Sequence, residues 1–126
     1  MINGELLNNI SKHENSVENI SVNSGSTKNI TECSITAPKK GIALVVVNAN
    51  FEQNSNGYRM LNISRNGSAS YPSVTVRVPS VSNAATTLTT VKAINLNTND
   101  IICPRCQQNS GETLVCNFNI QVIYLS

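Results

Sequence analysis

Gly41-Ile-Ala-Leu-Val-Val-Val-Asn-Ala-Asn-Phe51 decides how the rest of the chain is read. Ala43, Val45, Val47, Ala49 and Phe51 share one parity. Ile42, Leu44 and Val46 share the other, until Asn48 and Asn50 replace them. Alternation with period two marks a strand, because successive side chains of an extended backbone point to opposite faces. Apolar residues on the second face require a second cover. In a small all-β domain another copy of the same chain can supply it, so the stretch points to a β-sandwich that assembles with itself.

Outward from this strand the chain is punctuated at strand-and-turn spacing. Pro38-Lys-Lys-Gly41 turns into it and Gln53-Asn-Ser-Asn-Gly57 turns out of it, with the Asn-Gly chemistry of tight turns. Strands are expected over 58–65, closed by Asn66-Gly67, and at Val74, Val76 and Val78, stopped by Pro79. Others are expected over 86–96, turned by Asn97-Thr-Asn-Asp100, and over 101–108, followed by Asn109-Ser-Gly111. The last runs from about 113 to 125, with Phe118, Ile120, Val122 and Tyr124 inward and Asn117, Asn119 and Gln121 outward. Ile123 and Leu125 make its far end apolar on both faces. Some eight to ten such strands mean an all-β antiparallel sandwich or jelly roll.

Upstream, Leu6, Ile10, His13, Val17 and Ile20 recur at four-three-four-three spacing, a short heptad seam. Against a coiled coil through this seam, we expect a helical leader over 1–16 that docks the chain to other proteins, then a strand over about 17–22, with the β domain over 17–126. Asn23-Ser-Gly25 is read as a turn, with a strand through Ile30 to Ile35 after it.

Composition narrows the function. The 126 residues allow one domain and one core. Charged residues are 13% and aromatics 4%, without Trp, so Asn, Ser and Thr must carry solubility. The net charge of +2 and the pI near 8.4 come from dispersed Lys and Arg, of which only Lys39-Lys40 are adjacent. That argues against a nucleic-acid or anionic-membrane partner. The first residues, Met1-Ile-Asn-Gly-Glu-Leu-Leu, have neither the basic start nor the apolar run of a signal peptide, and no window reaches the length of a membrane span. Synthesis in a cytosol is expected, and with it free thiols at Cys33, Cys103, Cys106 and Cys116. Cys103-Pro-Arg-Cys106 has the spacing of a zinc half-site or redox pair, but no second pair accompanies it, so these residues read first as small apolar fillers. Asn-x-Ser/Thr at Asn9, Asn19, Asn29, Asn62 and Asn66 is what so Asn- and Ser-rich a chain produces by chance.

The order Gly-(apolar run)-Asn-Phe, then Asn56-Gly57-Tyr58-Arg59, then Leu96-x-x-x-Asp100, then Gln108-Asn109-Ser110-Gly111 and an alternating terminal strand resembles a known group. These are the jelly-roll domains of bacteriophage tail, baseplate and fibre proteins, related in architecture to tumour necrosis factor and the globular complement head. The resemblance spans roughly 17–126. It implies a homotrimer around a threefold axis, placed on a virion assembled in a bacterial cytoplasm, where such domains commonly bind host-surface glycans or teichoic acids. Two residues depart from the pattern. Asn99 stands where the group tends to have Gly before the turn Asp, though Asn tolerates the left-handed conformation. Pro104 lies inside an expected strand, to whose ladder it cannot donate, and suggests an edge or a bulge.

The catalytic inventory is poor. One His (His13), one Asp (Asp100) and six scattered Glu offer no triad and no carboxylate pair, so no enzyme and no cofactor is expected. Asp100 with Asn97 and Asn99 has the oxygens for calcium, but Asx chemistry closing a turn is the simpler reading. Tyr58-Arg59 reads as Tyr covering an end of the sandwich and Arg bonding a neighbouring chain. Recognition is placed in the polar loops, at Gln53, Asn54 and Asn56 and at Arg65, Asn66, Ser68 and Tyr71. Subunit contacts are placed at Leu6, Ile10, Val17, Ile42, Leu44, Val46, Ile123 and Leu125. Three functions remain open: a virion protein adhering to host glycans, a capsid, collar or baseplate decoration or connector that binds only other virion proteins, and a zinc or redox protein using Cys103 and Cys106.

Overall fold

The computed structural model describes residues 11–69, 71 and 74–125, which contain ten strands in two antiparallel sheets. The strands are β1 (Ser11–Val22), β2 (Lys28–Asn29), β3 (Ile35–Thr36), β4 (Gly41–Phe51), β5 (Tyr58–Arg65), β6 (Ser68–Ala69), β7 (Val76–Pro79), β8 (Thr86–Leu96), β9 (Ile101–Gln108) and β10 (Leu114–Tyr124). One sheet has the order β1-β10-β4-β8. The other runs β2-β9-β5-β6, with β3 also on β9 and β7 also on β5.

The quoted strand becomes β4, paired along its whole length between β10 and β8. Ala43, Val45, Val47, Ala49 and Phe51 are buried against Leu61, Ile63, Ile102 and Cys106 of the facing sheet. Phe51 meets Phe118 edge to face, with centroids 6.3 Å apart. Each such aliphatic side chain, taken fully from water, contributes about 1.5–3 kcal/mol.

The helical leader is not seen. From Ser11 to Ser16 the chain is already β1, zipped onto β10 from Ser11↔Tyr124 onward, while Leu6 and Ile10 lie outside the described residues. A bulge explains the heptad-like spacing. Glu18 and Asn19 interrupt the register between Val17 and Ile20, and Asn19 adopts φ 59°. The bulge switches the inward parity from odd to even. His13 and Val17 before it and Ile20 after it therefore all turn to the core side, spaced four and three apart. His13 packs edge to face on Tyr124 at 5.9 Å, and Val17 and Ile20 pack against the core. Val17 is thus not part of an outer face.

Pro104 lies not in an edge strand but in β9, between β5 and the β2/β3 strands. In an antiparallel ladder a residue's N–H and C=O point to the same neighbour. The Pro104 carbonyl accepts from Ile30 N at 2.8 Å, so the missing N–H falls on the β2/β3 side. There the ladder is already broken by a 3-10 turn, Thr31–Cys33, which replaces the single strand expected through 30–35. The proline is tolerated because its neighbour is split in two.

All four cysteines are buried and free. Cys33 closes the 3-10 turn, and the others lie in strands. Cys103 and Cys106 are three residues apart on one strand, which sends their side chains to opposite faces. Cys106 is in the core, whereas Cys103 pairs with Ser64 on the other side of the sheet. Among the described residues no three His, Cys, Asp or Glu side chains gather as a metal-holding group.

Candidate assembly face and polar loop clusters

The outer face of β1-β10-β4-β8 divides into two halves. Toward the Gly41 end, the rungs Val91–Val46–Gln121 and Ala93–Leu44–Ile123 lie beside Ile42 and Leu125. Ile42 is 48% exposed, Val91 44% and Leu125 51%, with Leu44, Val46 and Ile123 half-buried. Five of the subunit-contact candidates thus form one apolar patch, to which Val91 and Ala93 belong as well. Those two could not be assigned from sequence, because their place beside Val46 and Leu44 depends on a long-range register. Contiguous exposed apolar patches are where protein surfaces commonly meet a partner or a ligand.

Toward the Phe51 end the same face turns polar. One rung is wired across the whole sheet. Thr89 Oγ1 donates to Asn48 Oδ1 at 2.6 Å, Asn48 Nδ2 to Asn119 Oδ1 at 3.4 Å, and Asn119 Nδ2 to Ser16 Oγ at 2.7 Å and Glu14 Oε1 at 3.0 Å. The next rung, Thr87–Asn50–Asn117, ends at the bulge, where Asn117 Oδ1 accepts from Asn19 N at 2.9 Å. Between them lies an open hollow of about 230 Å³.

The loop candidates separate into two clusters. Gln53, Asn54 and Asn56 precede β5, and Arg65, Asn66 and Ser68 follow or end it. Its eight residues hold the clusters about 25 Å apart, at opposite ends of the sandwich. They do not form one site.

At the Phe51 end, Arg59 and Gln108 are register partners that point inward and are fully buried. Arg59 donates through Nη1 to the carbonyls of Asn56 (2.8 Å) and Tyr58 (3.1 Å) and through Nη2 to that of Asn54 (2.8 Å). Burial lowers its pKa, opposed by the nearby Cys116. Gln108 Nε2 donates to the carbonyls of Val22 (2.9 Å) and Glu112 (2.6 Å), and its Oε1 accepts from Ser110 N (2.8 Å). Asn54 Nδ2 also reaches Glu112 at 3.0 Å, and Tyr58 N donates to Asn109 Oδ1 at 2.6 Å. Gly57, at φ 74°, lies so close to Asn109 that a Cβ would collide with its carbonyl and side chain. The motifs at 56–59 and 108–111 are therefore one knot that fixes the loops, and Arg59 bonds its own chain rather than a neighbour. Tyr58 carries Arg77 over its ring at 4.2 Å. Gln53 and Asn56 remain exposed on this braced loop.

At the opposite end, Arg65 and Asn66 converge on Asp100, and Tyr71 joins the cluster through Arg65. Arg65 donates to Asp100 Oδ2 through Nε (3.0 Å) and Nη2 (2.6 Å), and to Tyr71 Oη through Nη1 (3.4 Å). Asn66 Nδ2 donates to Asp100 Oδ1 at 2.9 Å, and Asn97 N to Oδ2 at 2.8 Å. Hydrogen bonds from Asn66 and the Asn97 amide, then Arg65, hold the Asp100 carboxyl below its usual pKa despite burial. Asn99, at φ 72°, takes the left-handed turn position. Asp100 closes this turn with its oxygens committed to protein donors.

No protein-family model matches the chain, and no curated protein matches it by sequence. Solved structures do. It is similar to Eiger TNF from S. frugiperda at 11% identity and TM-score 0.60, over 91% of this chain and 93% of that one. It is similar to the PRD1 vertex protein P5 at 13% identity and TM-score 0.59, over 91% and 96%. It is also similar to the globular domain of zebrafish complement 1qA, at 13% and 0.51, over 86% and 94%. At these identities what is shared is the fold, and the chain has the antiparallel jelly roll common to these proteins.

Proposed function

We propose that this chain is a non-enzymatic structural protein of a bacteriophage or prophage virion, working as a homotrimer that adheres to host-surface glycans from a tail, fibre or baseplate. The observation that carries the reading is the divided outer face of β1-β10-β4-β8. The apolar half at Ile42, Leu44, Val46, Val91, Ile123 and Leu125 is suited to another copy of the chain. The braced loops then meet the ligand, several weak sites on one rigid assembly acting through avidity. Loops fixed beforehand by Arg59 and Gln108 lose less freedom on binding. Likeness to a virus vertex protein supports a particle-borne role, and it equally favours the second reading, a decoration or connector that binds only other virion proteins.

Native mass spectrometry of the parent and of Leu44→Glu tests the assembly. Three chains are expected for the parent and one for the variant, with an unchanged far-ultraviolet spectrum. A monomeric parent at micromolar concentration overturns the trimer. Binding to glycan arrays then separates adhesion from a purely connecting role.

A further inference from the structure

We propose that the polar half of the β1-β10-β4-β8 face is a binding site for an uncharged pyranose sugar. The hollow of about 230 Å³ is lined by Glu18, Asn48, Asn50, Thr87, Asn117 and Asn119, with no Lys or Arg among its lining residues. Its two rungs differ in what they have left to offer. On the Thr89–Asn48–Asn119–Ser16 rung, one continuous chain of hydrogen bonds engages the side chains and fixes them. On the Thr87–Asn50–Asn117 rung, Asn50 and Thr87 have no side-chain partner among the described residues, and Asn117 spends only its Oδ1, on Asn19 N.

The open rung therefore presents two amide N–H₂ groups, one amide oxygen and one hydroxyl. They stand on adjacent strands about 5 Å apart, a spacing that neighbouring ring hydroxyls can span. Ala49 and Phe118 enter the lining as strand backbone between these polar groups, because their side chains point to the other face and are buried in the core. A few oriented polar groups gathered in a concave surface suit a small polyhydroxylated ligand. Glu18, at the bulge rim, is the only charge in the lining, so the hollow accepts hydroxyls and disfavours carboxylated or phosphorylated sugars.

This deepens the adhesion reading and rests on it for the source of the sugar, but the chemistry is testable alone. Saturation-transfer NMR on the full chain, with methyl glycosides of glucose, galactose, mannose and N-acetylglucosamine at about 10 mM, should detect at least one of the four. Asn50→Ala and Thr87→Val, neither of which removes an internal hydrogen bond, should each weaken that signal about tenfold. Lys40→Ala, exposed at the Gly41 end of the sheet, should leave it unchanged, and glucuronic acid should bind more weakly than glucose. An oligosaccharide of the responding unit, compared with the free glycoside, tells whether a polymer is the natural source. Silence from all four glycosides, a preference for the charged sugar, or undiminished binding by both hollow variants overturns the site. If glycosides bind but the assembled protein ignores glycan arrays, the hollow stands and the adhesion reading fails.

Discussion

Replacing Arg59 tests whether a buried cation, rather than the local turn sequence, holds the 52–57 loop. Its guanidinium makes three hydrogen bonds to the carbonyls of Asn54, Asn56 and Tyr58. Bonds to a charged donor contribute about 1.5–3 kcal/mol each. Asn54 and Asn56 lie in a loop that water reaches, so their carbonyls can be rehydrated and the low end applies, giving about 4 kcal/mol for the set. Truncation to Ala also leaves a cavity worth about 2 kcal/mol. Against this, removing a fully buried charge with no carboxylate partner among the described residues returns roughly 3 kcal/mol of desolvation. The net for Arg59→Ala is a loss of about 3 kcal/mol, a fall in Tm of roughly 10 °C. Arg59→Met fills most of the space and should lose about 2 kcal/mol less. Urea unfolding at one fixed protein concentration measures the total, and amide hydrogen exchange should rise first at residues 53–57. A cost below about 1 kcal/mol for Arg59→Ala, with loop exchange unchanged, refutes the argument.

Asp100 should impose an acid limb on stability. Its folded pKa is depressed, so its contribution is fully present above the unfolded value of about 4 and is lost as pH falls through the lower folded value. Asp100→Asn should flatten that limb in urea titrations between pH 5 and pH 2 and cost roughly 2 kcal/mol at pH 7; an unaltered limb would contradict the assignment. Burial pushes Cys33 up to about 11 and Cys106 and Cys116 up to about 12, and raises Cys103. Native protein at pH 8 should therefore resist a thiol reagent over minutes, with all four groups reacting in denaturant; fast labelling of any one in the native state would show that it is not sealed from solvent.

Most of the sandwich was legible because β4 and β10 alternate and turn residues bound β5, β8 and β9, so all five ranges fall within a residue or two of those expected. The first half of β1 was misread, because a bulge at Glu18–Asn19 made a strand mimic helical spacing and the inward Ser11, His13 and Asn15 gave no apolar alternation to correct it; its second half, from Val17, reads as strand. The apolar half of the assembly face was half visible, since Ile42, Leu44, Val46, Ile123 and Leu125 could be read along single strands. Val91 and Ala93 needed the β4–β8 register. The hollow was illegible for the same reason. Asn48, Asn50, Asn117 and Asn119 read only as outward polar residues until pairing set them side by side. For the loop candidates, spacing in sequence does not reveal that the two sets sit at opposite ends of β5.

The place of β10 in its sheet has a consequence for how the molecule comes to be. It lies between β1 and β4, so the first and last described strands are neighbours and the four-stranded sheet cannot close until residues 114–124 are available. Nearly every strand pairing bridges distant parts of the sequence, the topology that folds slowly because loop closure must precede any stabilising contact. During synthesis β4 waits with apolar residues on both faces and no β10 beside it. It is in that interval, rather than after folding, that the chain is most exposed to pairing with the wrong partner.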